Sequence, residues 1–208
     1  MKKAILTALL LFTAASLFAQ NTHTLDTICE SLASHPNTTG DFTLSKTIQT
    51  NGRKLKSTGK YIISPIGILW NTEKPVSTSI ILTKNSVVQI AANGNKSVLS
   101  GNDNQIFTGI SETLSSVLSG DAAALRRNFT CSFTVNEKGE WTMSLKPKDS
   151  TIAAVMNELT LSGSYNEYAV MTSLVMAEAS GNLLSYEFEN QKFPEELSAD
   201  EKKIFVLE

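Results

Sequence analysis

Residues 42–70 read FTLSKTIQTNGRKLKSTGKYIISPIGILW, and this stretch decides the fold. Phe42, Leu44 and Ile48 fall on alternate positions, interrupted by Lys46, which is the period of a strand with one apolar face. Asn51-Gly52 then supplies the residue pair that tight hairpin turns prefer, because both central positions take positive φ. A return strand from about Lys54 to Ser64 follows, and Pro65-Ile66-Gly67 turns it into a third, Ile68–Thr72. Three strands joined by such short turns form an antiparallel meander.

Outward from this core the same grammar continues. Lys74-Pro75 leads into Val76–Thr83, and Lys84-Asn85-Ser86 and Asn93-Gly94 bound two more short strands. The period then changes: Ile106, Phe107, Ile110, Leu114, Val117 and Leu118 share one face of a helix. Gly120 suits its C-terminal cap, and Asp121 caps a following short helix, Ala122–Arg127. Strands resume with Phe129, Cys131, Phe133 and Val135, and Lys138-Gly139 turns into Trp141, Met143 and Leu145. A short helix is expected within Asp149–Met156, then strands near Glu158–Ser162, Tyr168–Glu178 and Leu183–Glu189. Ser198 and Glu201 have the spacing of a capping box for a terminal helix. Upstream of the meander, Leu25, Ile28, Cys29 and Leu32 mark an amphipathic helix that His35-Pro36-Asn37 ends. The expected fold class is α+β: an unclosed antiparallel β-barrel of about eleven strands, with an α-helical lid over an apolar cavity.

The N-terminus has the three parts of a secretory signal peptide. Lys2 and Lys3 precede an apolar run from Ala4 to Phe18, and Ala19 stands before polar Gln20-Asn21-Thr22. The run is shorter than the ~20 residues that span a bilayer as a helix. Residues 1–19 are therefore read as a leader and 20–208 as one domain, exported and soluble. No cysteine follows the apolar run closely, so lipid modification at the new N-terminus is not expected. Losing Lys2 and Lys3 takes the formal charge from −2 to −4, and such a chain without a basic cluster is a poor partner for nucleic acid. Cys29 and Cys131 either pair in an oxidising compartment or remain two buried thiols.

The chain offers little chemistry. His23 and His35 are its two histidines, and neither GxSxG, HExxH nor a phosphate-binding glycine loop occurs. No catalytic residue, metal site or cofactor is expected, and the chain is not read as an enzyme. Glu187 and Glu189 share a strand face, which reads as a solvated sheet surface. The apolar pattern is more informative. A cavity walled by Phe, Leu, Ile and Met takes hydrocarbon, at ~0.8 kcal/mol per buried CH₂. By alternation the candidate lining is Phe42, Leu44, Trp70, Ile80, Leu82, Phe133, Met143 and Leu145, with Ile106, Phe107, Ile110 and Leu114 from the lid. An ordinary filled core would give the same residues, so both readings stand at this point.

Several segments, taken in order, resemble the LolA-type outer-membrane lipoprotein carriers. Phe42–Ile48 with Gly52, Ser57 and Gly59 resembles the family's first hairpin. Pro65, Trp70 and Pro75 are spaced as in its Pro-Gly-x-Phe-Arg-Trp segment. Val117-Leu118-Ser119-Gly120-Asp121 is similar to its leucine-rich helix ending in Ser-Gly-Asp, and Leu145-Lys146-Pro147-Lys148-Asp149 to its Leu-x-Pro-Lys stretch. Gly181 and Tyr186–Phe188 match its final hairpin. The resemblance implies a monomeric periplasmic shuttle without cofactor. Such a shuttle takes acylated lipoproteins from an inner-membrane ABC-type releasing complex to an outer-membrane acceptor or to the membrane itself. A same-fold envelope protein that binds free lipid or glycolipid, or senses mislocalised lipoproteins, is the alternative. Two departures stand out. Leu69 occupies the place of the arginine implied to govern lid closure, and Gly67 lies two residues after the proline rather than one. Closure is then expected to rest on apolar contact between the lid and residues such as Trp70.

Overall fold

The computed structural model describes residues 23–83, 86–99, 113, 115–117 and 120–206. The leader at 1–19 and the four lid positions Ile106, Phe107, Ile110 and Leu114 lie outside the described residues. The strands are β1 (Thr38–Thr47), β2 (Lys54–Ser64), β3 (Gly67–Lys74), β4 (Thr78–Leu82), β5 (Val87–Ile90), β6 (Lys96–Leu99), β7 (Phe129–Val135), β8 (Glu140–Pro147), β9 (Met156–Tyr165), β10 (Ala169–Glu178) and β11 (Leu183–Lys192). The helices are α1 (Leu25–Ala33), α2 (Ala122–Asn128), α3 (Ser150–Ala153) and α4 (Ala199–Ile204).

All eleven strands form one antiparallel sheet in the order β6-β5-β4-β3-β2-β1-β11-β10-β9-β8-β7. Each half is a meander of sequential hairpins, and the halves join where β1 pairs with β11, Leu44 lying opposite Tyr186. β6 and β7 are the two edges and do not pair with each other. Yet Ile68 and Leu82 from one half share a single buried cluster with Met143 and Leu145 from the other. The sheet therefore curls until its two wings bury one concave face, but it stays unclosed. β1 begins earlier than the alternation of Phe42–Ile48 indicates, β9 is longer than its apolar core, and β11 runs on to Lys192. Pairing with a neighbouring strand carries these polar ends into the ladder, which side-chain pattern alone does not record.

Local signals set the helix ends. Thr24 and Thr27 form a reciprocal capping box at α1, and Ser198 and Glu201 do the same at α4. Asp121 caps α2 by accepting from the Ala124 N–H at 2.7 Å. No helix among the described residues is long and apolar enough to cross a membrane.

The sheet uses both faces. α1 and α2 cover the concave side. On the convex side, Ile62, Leu69, Ile81 and Leu197 form a second buried cluster, against which Ile90, Ile204 and Phe205 pack. Beside it a cleft of about 450 Å³ opens between α4 and a bulge in the β1–β11 pairing. Asn190 takes positive φ at that bulge and donates to Asp41 at 2.7 Å.

Lys46, the polar break in the β1 pattern, has its reason in space. Its Nζ donates to Glu178 Oε1 at 2.9 Å, and Ser180 and Asn182 donate to Glu178 Oε2. Burial pulls the Glu178 carboxyl upward, but these hydrogen bonds and the Lys46 charge outweigh it and hold it below its ordinary 4.5. Its contribution is thus complete above the unfolded pKa and lost as pH falls through the folded one. Unfolding free energy is expected to decline over that acid window less steeply in Glu178→Gln than in the natural chain. Chemical denaturation at a series of pH values checks this, and identical slopes would remove the pair from the acid response.

Candidate functional site

The concave face is lined by alternate residues of nearly every strand. Phe42, Trp70, Leu82, Met143 and Leu145 are buried in its cluster, and Leu44, Ile80 and Phe133 are half-buried and packed against it. All eight strand positions read from alternation thus stand on one side of the sheet. The lid residues Ile106, Phe107, Ile110 and Leu114 lie outside the described residues. Thr113 and Val117, from the same segment, are fully buried, and Val117 belongs to this cluster.

The two wings differ in chemistry. Around β1, β2, β3 and β11 the lining is aromatic. Tyr61 and Phe188 have ring centroids 4.9 Å apart, Phe42 and Tyr186 5.7 Å, and Trp70 and Tyr186 5.9 Å. Burial raises the pKa of the Tyr186 hydroxyl to about 12. Around β8, β9 and β10 the lining is mainly aliphatic and thioether, Leu159, Leu161 and Leu174 with Met143, Met156, Met171 and Met176, and Trp141 stands at its β8 end. Unbranched, polarisable methionine adapts to irregular apolar partners. Alternation could have found Tyr61, Tyr186 and Phe188, since Tyr186 and Phe188 lie two apart on one strand.

Two helices close this face. α1 presents Leu25, Ile28, Cys29 and Leu32, and α2 presents Ala122 and Leu125. Polar clasps fix them. Arg126 on α2 donates to both carboxylate oxygens of Asp26 on α1, at 2.8 and 2.5 Å, and lowers its pKa. The Ala169 N–H donates to Ser31 Oγ at 2.8 Å. Under the C-terminal end of α1 lies a cavity of about 20 Å³, bounded by Leu32, Thr38, Ala169 and Met171 among others. It has room for about one water.

Cys29 and Cys131 are both free thiols here. Burial pushes the Cys29 thiol up to about 12 and raises Cys131 as well, so neither is a ready nucleophile. Both histidines are held in ring contacts. His23 lies 3.9 Å from the Tyr165 centroid, and His35 lies 4.3 Å from Tyr168 and 5.2 Å from Phe193. Ser34 Oγ stands 2.7 Å from the Ser31 carbonyl oxygen and 3.0 Å from His35 Nδ1, within hydrogen-bond reach of both. Among the described residues no group of three or more His, Cys, Asp or Glu side chains could hold a metal ion.

The family model of the outer membrane lipoprotein carrier protein LolA matches residues 35–204, most of the chain and every described strand. The chain belongs to the LolA family. Among solved structures, a DUF1329-family protein from Desulfovibrio piger superposes with a TM-score of 0.52 at 9% identity, over 84% of this chain and 92% of that one. A LolA-superfamily protein from Nitrosomonas europaea has a TM-score of 0.47 at 13% identity, over 89% and 98%. A putative outer membrane lipoprotein-sorting protein domain from Vibrio parahaemolyticus has a TM-score of 0.44 at 9% identity, over 88% and 99%. No curated protein matches the sequence.

Against this LolA background, the two departures from the family pattern can be placed in the structure. Leu69, read as standing at the lid-governing arginine, faces the convex side in the cluster with Ile62, Ile81 and Leu197. Its neighbour Trp70 faces the concave side. Successive residues of a strand point to opposite faces, so these two neighbours belong to different clusters. The displaced glycine also has a reason. A Cβ on Gly67 would stand 2.5 Å from the Leu82 carbonyl oxygen and 2.7 Å from the Phe205 ring, so its bareness admits the end of α4.

Proposed function

We propose that this protein is a periplasmic carrier that holds the acyl chains of lipoproteins against its concave face while they travel from the inner to the outer membrane. The observation that carries the reading is the apolar lining of the concave face of an unclosed sheet, covered by helices instead of further strands, in a chain matched by the LolA model. A face covered by separately clasped helices opens without breaking the strand ladder. The aromatic and methionine wings then meet hydrocarbon, and each buried CH₂ contributes ~0.8 kcal/mol. On this reading residues 1–19 direct export and are removed. The mature chain works as a monomer without a cofactor, and it performs no reaction. It receives cargo from an inner-membrane ABC-type lipoprotein-releasing complex and gives it up to an outer-membrane acceptor or to the membrane. The eight strand positions named from alternation, with Ile106, Phe107, Ile110 and Leu114, are the proposed contact surface for the chains.

A photoreactive amino acid placed at half-buried Leu44, activated in cells, tests this. Acylated polypeptides are the expected adducts. Adducts containing free lipid or glycolipid alone would replace the carrier reading by the alternative of a same-fold lipid-binding envelope protein. Adducts with neither would overturn both.

A further inference from the structure

Both tryptophans of the chain are buried on the concave side, and they are not equivalent. Trp70 is 7% exposed and lies in ring contact with Tyr186, centroids 5.9 Å apart. Trp141, at the start of β8, is 1% exposed, and its Nε1 has no hydrogen-bond partner. It is the one fully buried side-chain nitrogen or oxygen in this condition among the described residues. Folded proteins rarely leave a buried donor unmatched, and in an apolar surrounding the loss is not recovered elsewhere.

The position of the ring is built, not incidental. Gly163 pairs with Trp141 on one side and Met171 on the other. A Cβ at Gly163 would lie 2.7 Å from Cε2 and 2.5 Å from Cζ2 of the indole, so the bare glycine makes the seat for the N–H edge of the ring. Met171 in turn bounds the 20 Å³ cavity beneath α1. The unmatched donor thus sits two strands from an existing void, in the same cluster as the helix that covers it. Phenylalanine or leucine would fill such a place without a stranded donor. Apolar packing therefore does not account for an indole here.

Hydrocarbon accepts no hydrogen bond. The group on a fatty chain that does is the carbonyl joining it to its carrier, an ester or an amide. We infer that the Trp141 Nε1–H is the donor that receives an acyl carbonyl, so that the concave site reads acyl chains by their head and not by hydrophobicity alone. This rests on the carrier reading above and names what that site recognises. No rearrangement of the donor is needed, because the glycine seat already holds it.

The test compares two synthetic lipopeptides on the full mature chain. One carries an S-(2,3-diacyloxypropyl)cysteine, and the other is its dialkyl ether analogue of equal chain length. The natural chain is expected to prefer the ester by roughly 3- to 10-fold, the range of one neutral hydrogen bond. Trp141→Phe is expected to abolish that preference while retaining the ether affinity. Trp141 and Trp70 also give two separable indole N–H resonances in the unaltered protein. The ester should move the Trp141 signal downfield and slow its hydrogen exchange, the ether should not, and Trp70 should change little with either. Equal affinity for both lipopeptides, or an ester preference that survives Trp141→Phe, overturns this inference and leaves the carrier reading standing. If neither lipopeptide binds, the carrier reading falls and takes the inference with it. Should Trp141→Phe fail to fold, the resonance measurement decides by itself.

Discussion

Replacing Gly163 by alanine is expected to lower unfolding free energy by about 3 kcal/mol or more, a large effect for one methyl group. The added Cβ would stand 1.9 Å from the backbone carbonyl oxygen of Val170, and also inside the Trp141 ring contact. A side chain can turn away from such a clash, but a carbonyl in the β9–β10 ladder moves only with its strand. β9 and β10 pair along most of their length, with Leu161 opposite Leu174 and Leu159 opposite Met176. The strain therefore enters the aliphatic wing of the core. Equilibrium denaturation in urea, followed by circular dichroism, measures the loss. Gly52→Ala is the control: its turn has open space around the Cβ, and the cost comes from positive φ alone, about 1 kcal/mol. Equal losses for the two variants would mean that close packing at Gly163 does not limit stability.

Trp70→Ala should cost about 3–5 kcal/mol, the range for emptying a large aromatic site in a core. Trp70 is 7% exposed and holds four rings at once. Its centroid lies 5.9 Å from Tyr186, 6.0 Å from Tyr61, and 6.4 Å from both Phe42 and Phe188. Removal leaves a void where the β1–β11 junction meets β2 and β3. Trp70→Phe keeps most of the ring contact and empties only part of the volume, so its cost should be lower, about 1–2 kcal/mol. The same denaturation series checks the ranking. Affinity for the diacyl lipopeptide, read in parallel, should change in Trp70→Ala because the proposed contact surface loses its largest member. An alanine variant with unaltered stability and unaltered affinity would show that closure and binding do not depend on this ring.

Much of the architecture was legible because its signals are local. Asn51-Gly52, Lys138-Gly139 and Ser180-Gly181-Asn182 each turn the chain between strands that pair as expected. The parity of Phe42, Leu44, Trp70, Ile80, Leu82, Phe133, Met143 and Leu145 placed them on one face because backbone geometry allows a strand residue no other period. By the same parity Leu69, next to the inward Trp70, belongs to the convex cluster. The convex cluster was missed because Ile62, Leu69 and Ile81 read as strand apolar residues whichever element covers them. Nothing near them in sequence shows that Leu197 and Ile204 do so.

By itself the sequence determined the strand content, the turns, the helix caps and which residues share a face, since each depends on neighbours within a few positions. The tertiary structure alone decided that β1 joins β11, that α1 covers the concave side and α4 the convex side, and that Lys46 meets Glu178. It also left the buried Trp141 indole N–H without a partner among the described residues. Those outcomes turn on burial and hydrogen-bond satisfaction between segments far apart in the chain, where many pairings suit the local pattern and only the assembled core selects among them.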